Sequence, residues 1–308
     1  MYVPKAPLVL GIDLTRKCNI SCRHCVLDAN EKDDSLPFEQ VISLVDQAFQ
    51  LGVQLLDFNG GEPLLYPGFF SLVNYALEKG LNIIFISNGI LISENLDEIK
   101  KCYDEFGPVL QIGISLDGHN AEIHGYFRPK ETFNVSVEAI KSLMSIGLEP
   151  VVFCVINHSN IKWIKEFLQF LSTLGVSRVR LLPFIPFGKG ASLGYEMLSD
   201  EEMCWLIRNK EKWKIEFKGH LSFETFHEFI LMPDKQKKTS SCMAGFVQLG
   251  VSTSGDFYPC AYMMDCSLGT IYKNSIKEIW MESPVLKSLR KDGGCATCIC
   301  RSIINYKI

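Results

Sequence analysis

From Leu8 to Phe184 the chain alternates short apolar runs with segments whose apolar residues recur at helical spacing. Short apolar runs bounded by turn residues suit buried strands, and apolar positions three and four apart suit helices. Val9–Leu14 reads as a strand, followed by a cysteine-bearing loop. Val41, Leu44, Val45, Ala48 and Phe49 follow helical spacing, with Pro37 suited to the first turn. Leu55–Phe58 is a second strand running into Gly60-Gly61, and Phe69–Leu77 is a helix closing at Gly80. Ile83–Ser87 is a strand ending at Asn88-Gly89, with Ser93 as a helix cap beyond it. Leu110–Leu116 ends at Asp117-Gly118, and Val135–Ile146 is a helix stopped by Gly147. Pro150–Ile156 is a strand ending at Asn157, and Ile161, Ile164, Phe167 and Leu171 mark the next helix. Val179–Leu182 is the sixth strand, halted by Pro183 and Pro186.

Apolar runs joined through helices imply parallel strands buried on both faces. Six such steps are too few to close an eight-fold barrel. The expected fold class is therefore α/β, a partial (βα)6 TIM-like barrel, with a doubly wound sheet left open by periodicity alone. The polar and glycine-containing clusters all follow strands, the end of a βα barrel that carries active sites. After about Gly190 the rhythm changes. Asp200–Arg208 reads as a helix, Leu221–Leu231 is ambiguous, and Val247–Ser252 with Asp256–Tyr258 reads as a hairpin turning at Ser254-Gly255. Ile276–Trp280 and Val285–Leu289 read as short helices. The expected divisions are a barrel over residues 1–190, a linker or helical region over 191–234, and a small cysteine-rich domain over 235–308.

Composition narrows the functional classes. A length of 308 residues suits roughly two domains with a sizeable core. The longest apolar stretches, such as Ile83–Ile86 and Val151–Ile156, have strand length and fall far short of a membrane span. Leu8–Ile12 lacks the cleavage site of a signal peptide, so a cytoplasmic protein with no membrane partner is expected. A net charge of −4 argues against a large nucleic-acid footprint, and Lys235–Lys238 reads as a solvated loop. Twelve cysteines stand out: three lie within Cys18–Cys25, six within Cys242–Cys300, and only Cys102, Cys154 and Cys204 fall between. Clustered thiols in a chain of this kind are better metal ligands than disulfides.

Cys18-Asn-Ile-Ser-Cys22-Arg-His-Cys25 has the spacing C-x3-C-x2-C. Three thiolates can hold three irons of a 4Fe–4S cluster and leave the fourth without a protein ligand. Structural zinc normally takes four ligands, and His24 is too close to Cys25 in the chain to complete such a set easily. An open iron is a place for a substrate to coordinate, whereas electron-transfer clusters are usually fully ligated.

With these residues the chain resembles the radical SAM superfamily over about Val9–Phe184. Gly60-Gly61-Glu62-Pro63 follows the second strand and matches the family's GGEP segment. The resemblance implies that its backbone and Glu62 hold the methionine amino group of S-adenosylmethionine. Ser87-Asn88-Gly89 follows the third strand, and Ser115-Leu116-Asp117-Gly118 the fourth, placing Ser115 and Asp117 near the ribose or methionyl group. Arg128 matches an arginine that pairs with the methionine carboxylate in related enzymes, while Asn157 and the backbone around Leu182 would line the adenine side. His24 stands where the family often has an aromatic residue packing near adenine. The implied chemistry is reductive cleavage of S-adenosylmethionine, giving a 5′-deoxyadenosyl radical that abstracts hydrogen. A flavodoxin or ferredoxin is the implied reductant.

Cys242 and Cys260 form C-x12-G-x4-C through Gly255, and Cys295-Ala-Thr-Cys298-Ile-Cys300 forms C-x2-C-x-C. Spacing alone suits zinc or an iron–sulfur cluster equally. The segment from Ser254 to Cys260, and that from Leu268 to Trp280, resemble the SPASM and Twitch domains of radical SAM enzymes. The chain ends eight residues after Cys300, so a single-cluster Twitch domain is the expectation. The match implies Cys242, Cys260, Cys295 and Cys298 as ligands of a second 4Fe–4S cluster, and either Cys266 or Cys300 could substitute. Cys102 and Cys154 read as packing thiols, and Cys204 is the remaining candidate hydrogen donor. Many SPASM and Twitch relatives mature ribosomally made peptides, so a peptide substrate is favoured, with a separate leader-peptide-binding protein as an implied partner. A small-metabolite dehydrogenase or rearrangement enzyme is the alternative. A non-catalytic metal-binding redox scaffold is the third reading.

Overall fold

A computed structural model describes residues 4–29, 34–224, 244–261 and 263–291. Along the chain these form β1 (Val9–Thr15), α1 (Phe38–Leu51), β2 (Leu55–Gly60), α2 (Phe69–Glu78), β3 (Asn82–Ser87), α3 (Leu96–Phe106) and β4 (Leu110–Ser115). There follow α4 (Ala121–His124), α5 (Thr132–Ser145), β5 (Val151–Ile156), α6 (Ile164–Thr173), β6 (Arg178–Pro183), α7 (Asp200–Glu216) and β7 (Ser222–Glu224). The last elements are β8 (Gln248–Val251), β9 (Phe257–Tyr258), α8 (Ile276–Glu282) and α9 (Pro284–Lys291). They gather into two compact units, one of Met1–Cys18, Glu31–Phe85 and Phe229–Ile308, the other of Asn19–Asn30 and Ile86–Glu228.

In the first unit the strands run in the order β3-β2-β1-β8-β9, parallel except for the β8–β9 hairpin. Ile12, Phe58 and Phe85 form one row across β1, β2 and β3. The ring of Phe69 on α2 meets Phe58 at 6.4 Å and Phe85 at 5.0 Å, both edge-on. That face therefore packs against helix, and Leu10, Ile12, Leu14, Leu56 and Phe58 on it are sealed from solvent. Alternation puts Gly11, Asp13, Asp57 and Asn59 on the opposite face. Parallel strands are usually apolar on both faces, so this polar second face is a departure from the rule. The C-terminal cysteine-rich segment shares this unit, because β8 pairs directly with β1 and Trp280 on α8 donates its Nε1–H to the Pro4 carbonyl at 2.8 Å.

In the second unit β4, β5, β6 and β7 are all parallel, with Gly113, Val151, Arg178 and Ser222 in one row. Across the two units the α/β class and the alternation of strand and helix are as expected, with four local differences. Pro37 is the residue before α1 instead of lying in its first turn. Ser93 does not cap a helix: it opens a short 3-10 turn, and α3 begins after Asn95 with no side-chain cap. The fifth helix starts at Thr132, since the Thr132 hydroxyl finds partners in the Pro129 carbonyl and the His124 ring. The ambiguous stretch after Leu221 contains β7, too short to show a period, whose Phe223 is buried beside β6. Among the described residues no helix is long and apolar enough to cross a membrane.

Candidate active site

The first unit carries the chain into the cysteine loop. At the end of β1 the Thr15 hydroxyl accepts the Lys17 N–H at 3.0 Å, turning the backbone toward Cys18. The exit of β2 lies against this segment: Gly61 N–H donates to the Thr15 carbonyl at 2.6 Å and Glu62 N–H to the Lys17 carbonyl at 2.9 Å. A Cβ on Gly60 would sit 2.3 Å from the Thr15 oxygen, and one on Gly61 2.2 Å from the Lys17 oxygen. Real side chains cannot occupy such space, so the Gly-Gly pair is what lets the two backbones approach. Glu62 is fully buried and its carboxylate accepts the Leu64 N–H, with Pro63 opening a 3-10 turn.

The second unit holds the rest of the loop, and three segments brace it. Arg23 N–H donates to the Phe127 carbonyl at 2.8 Å, and its guanidinium reaches the Tyr126 carbonyl and the Tyr195 hydroxyl. Lys189 N–H donates to the Cys25 carbonyl at 2.9 Å, and its ammonium bonds the Ser21 hydroxyl. Asn88 holds Asn19 through a side-chain hydrogen bond of 2.7 Å, while Ser87 Oγ accepts the Gly89 N–H. Cys18, Cys22 and Cys25 are half-buried, and none is disulfide-bonded.

Asp117 and Arg128 form the electrostatic centre of this unit. Asp117 accepts Arg128 Nε–H at 2.6 Å on one oxygen and Val155 N–H at 2.7 Å on the other. Burial raises its pKa, but Arg128, His24, His124 and the Val155 N–H outweigh burial and hold it below the usual carboxylate range. Arg128 then points its remaining nitrogens at the loop, Nη1 lying 3.7 Å from Cys22 Sγ and Nη2 3.5 Å from His24 Nε2. Burial opposes the Arg128 charge, yet Asp117 and the Cys22 and Cys25 sulfurs keep it above its ordinary value. Burial pushes the Cys22 thiol up against the pull of Arg128. His24 is pushed down to about 4 by burial and Arg128, so its ring is neutral near pH 7. It stacks on Phe127 at 4.8 Å, and Phe127 packs on Phe184 at 4.9 Å.

Two more of the expected residues lie buried in this unit, and one of them retains hydrogen-bonding capacity. Ser115 is buried at the end of β4. Asn157 shares paired bonds with Asn160, but its buried Nδ2 has no partner among the described residues. Leu182 lies on β6 beside Val155. Cys102 and Cys154 are buried, the latter with its thiol pushed well up by burial, and Cys204 is half-buried on α7. Sequence reasoning missed Phe127, Phe184 and Lys189. Their places, next to Arg128 and just after the sixth strand, were the available signal.

The donor set fits an iron–sulfur cluster and a polar cofactor beside it. Among the described residues no three His, Cys, Asp or Glu side chains are already gathered as around an ion. The fit rests on chemistry: three thiols on one short loop, a guanidinium aimed at one sulfur, and Ala29 N–H donating to Cys25 Sγ at 3.3 Å. The orphaned Asn157 amide adds an unfilled donor. Of the second cysteine group, Cys260 is buried and Cys266 half-buried, joined by successive turns through Met263. Cys242, Cys295, Cys298 and Cys300 lie outside the described residues.

Comparison with known proteins agrees with this chemistry. The radical SAM superfamily model matches residues 12–171, and an iron–sulfur cluster-binding domain model, SPASM, matches 242–301. An AdoMet-dependent heme synthase of Oleidesulfovibrio alaskensis is 25% identical over 94% of this chain and 79% of its own length. The mycofactocin maturase MftC of Mycolicibacterium smegmatis is 25% identical over 95% of this chain and 76% of its own length. Streptococcus suis SuiB, solved bound to the precursor peptide SuiA, superposes with a TM-score of 0.75 at 18% identity, covering 94% of this chain and 67% of SuiB. The likeness to SuiB supports the partial-barrel α/β fold. The first family model alone spans more than half of the chain: the protein belongs to the radical SAM superfamily, an enzyme that uses a 4Fe–4S cluster with S-adenosylmethionine and carries a further iron–sulfur domain over residues 242–301.

Proposed function

We propose that this enzyme abstracts hydrogen from a peptide and thereby modifies it, as in the maturation of ribosomally made peptides. The observation that carries the reading is the likeness across nearly the whole chain to a maturase and to a protein solved with its precursor peptide. When bound, the cluster and S-adenosylmethionine supply a 5′-deoxyadenosyl radical. Cys18, Cys22 and Cys25 hold the cluster. Arg128, oriented by Asp117, holds the methionine carboxylate, and Gly60, Gly61 and Glu62 serve the amino group. The buried Ser115 hydroxyl serves the sugar side, and the Asn157 amide, whose Nδ2 has no partner among the described residues, supplies a hydrogen bond on the base side. The His24–Phe127 stack offers a flat surface for adenine, and Phe184, Leu193 and Met197 behind it keep water out. Cys242, Cys260, Cys295 and Cys298, with Cys266 and Cys300 as substitutes, hold a second cluster. A flavodoxin or ferredoxin supplies electrons, and a separate protein presents the leader peptide.

A second reading is oxidation or rearrangement of a small metabolite, favoured by the heme synthase relative. Anaerobically reconstituted enzyme, reductant and S-adenosylmethionine are incubated with candidate precursor peptides and, separately, with small metabolites, and 5′-deoxyadenosine and peptide mass are followed. Deoxyadenosine formation with a changed peptide mass supports the peptide reading. Deoxyadenosine that rises only with a small metabolite overturns it.

A further inference from the structure

The polar sheet face of the first unit contains a second constellation. Tyr258 on β9 donates its hydroxyl to Asp13 Oδ2 on β1 at 2.7 Å, across 245 residues of chain. Two glycines make the contact possible. Gly250 lies opposite Tyr258 on β8, and Gly11 lies opposite Gly250 on β1. A Cβ on Gly250 would fall 1.9 Å from the Tyr258 ring, so the ring lies over a floor that only glycine leaves clear. Among the described residues Tyr258 is the one hydrogen-bond partner of the Asp13 carboxylate, and no cation neutralises it. Asp13 itself is 4% exposed, while Gly11, Asp57 and Asn59 on the same face are half-open.

A buried carboxyl without a counter-charge is costly in a purely structural role, since apolar residues would fill a parallel sheet at less expense. Burial pushes Asp13 up to about 7, the Tyr258 hydrogen bond pulls the other way, and Asp57 adds to the rise. Among the described residues, the charged and titratable groups facing it are Asp57 on β2 and Tyr258 on β9, and β8 contributes the uncharged Gly250. Such a group can gain and lose a proton near neutral pH, as a general base must.

We propose that Asp13 is the proton acceptor of the reaction, taking a proton from a polar X–H group of the substrate while Tyr258 holds its other carboxylate oxygen. The X–H bond breaks, the proton bonds to Asp13 Oδ1, and the electron pair stays on X. A substrate that has lost hydrogen from carbon and then this proton gives up an electron more readily, which is the direction that oxidation by an iron–sulfur cluster requires. The assignment goes beyond the peptide reading and does not depend on it.

The test begins with infrared titration of the reconstituted holoenzyme without substrate, using Asp13→Asn to assign the buried carboxyl band. The expected midpoint lies near neutrality, moves up in Tyr258→Phe and moves down in Asp57→Asn. A midpoint in the ordinary carboxylate range, or one indifferent to both neighbours, overturns the proposal whatever the substrate proves to be. The second arm follows product formed per deoxyadenosine released on whichever substrate turns over. The expected rise through neutral pH disappears in Asp13→Asn and returns, displaced, in Asp13→Glu. An unchanged pH profile in Asp13→Asn also overturns it.

Discussion

Asp13 on β1 and Asp117 just beyond the end of β4 are both buried aspartates, one in each unit, and their surroundings drive them in opposite directions. Asp117 has an arginine at 2.6 Å and a backbone N–H at 2.7 Å, and its carboxyl is held below the usual range. Asp13 has one tyrosine hydroxyl and a second carboxylate nearby, and its carboxyl rises to about 7. Burial acts alike on the two; the partner decides the sign. A paired carboxylate is a fixed charge that can orient another group, whereas one lacking a cation is a group that can exchange a proton.

The sharpest way to break this comparison is to remove the cation. Arg128→Ala leaves the Asp117 charge buried with a single N–H donor, and the expected loss is roughly 3–5 kcal/mol of stability. Formation of 5′-deoxyadenosine should fall by about 10² or more, because the charge-oriented donor is gone. Both are checked by denaturant unfolding and by product assay. Arg128→Lys should recover little, since it lacks the fork that meets Asp117 and the loop together. A variant of normal stability and activity would show that Asp117 does not depend on its partner.

Asp13→Asn tests the other arm through pH. A carboxyl whose folded pKa is raised stabilises the fold at low pH and loses that contribution as pH rises from about 4 to its folded value near 7. Asp13→Asn should therefore be more stable than the parent at pH 8 by on the order of a few kcal/mol, with the advantage gone near pH 4. Asp117 has the opposite sign: its contribution is present above about pH 4 and fades only in stronger acid. Relative to the parent, the melting temperatures of the two Asn variants should converge in acid and diverge as pH rises, and parallel curves would refute the contrast.

Gly250→Ala is the mildest probe. The added methyl would meet the Tyr258 ring at 1.9 Å and must displace it, at an expected cost of roughly 1–3 kcal/mol. The hydrogen bond to Asp13 should weaken with it, and the infrared carboxyl midpoint should rise as in Tyr258→Phe. A variant with unchanged stability and midpoint would mean that the ring has room elsewhere.

Much of the barrel and of the first cysteine loop was legible because both are written locally. Apolar runs between turn residues mark β1 to β6, and the spacing of Cys18, Cys22 and Cys25 fits one short loop. The Gly60-Gly61 pair could be read as a turn, but its cause is the Thr15 and Lys17 carbonyls pressed against it. Ser93 looked like a cap and is not one, because the chain enters α3 through a 3-10 turn that uses up the capping position. The short strand β7 was hidden, since three residues carry no period and only pairing with β6 defines them.

The sequence by itself determined the strand and helix rhythm, the thiol chemistry and the order of polar clusters at strand exits, all of which depend on neighbours a few residues apart. Only the tertiary structure decided which aspartate is a fixed charge and which can exchange a proton. That depends on exclusion from water and on the group brought alongside by a distant segment: Arg128 reaching back to Asp117, and Tyr258 laid across Gly250 onto Asp13. No local pattern encodes either distance, and the electrostatic energy of a buried carboxylate is set by both.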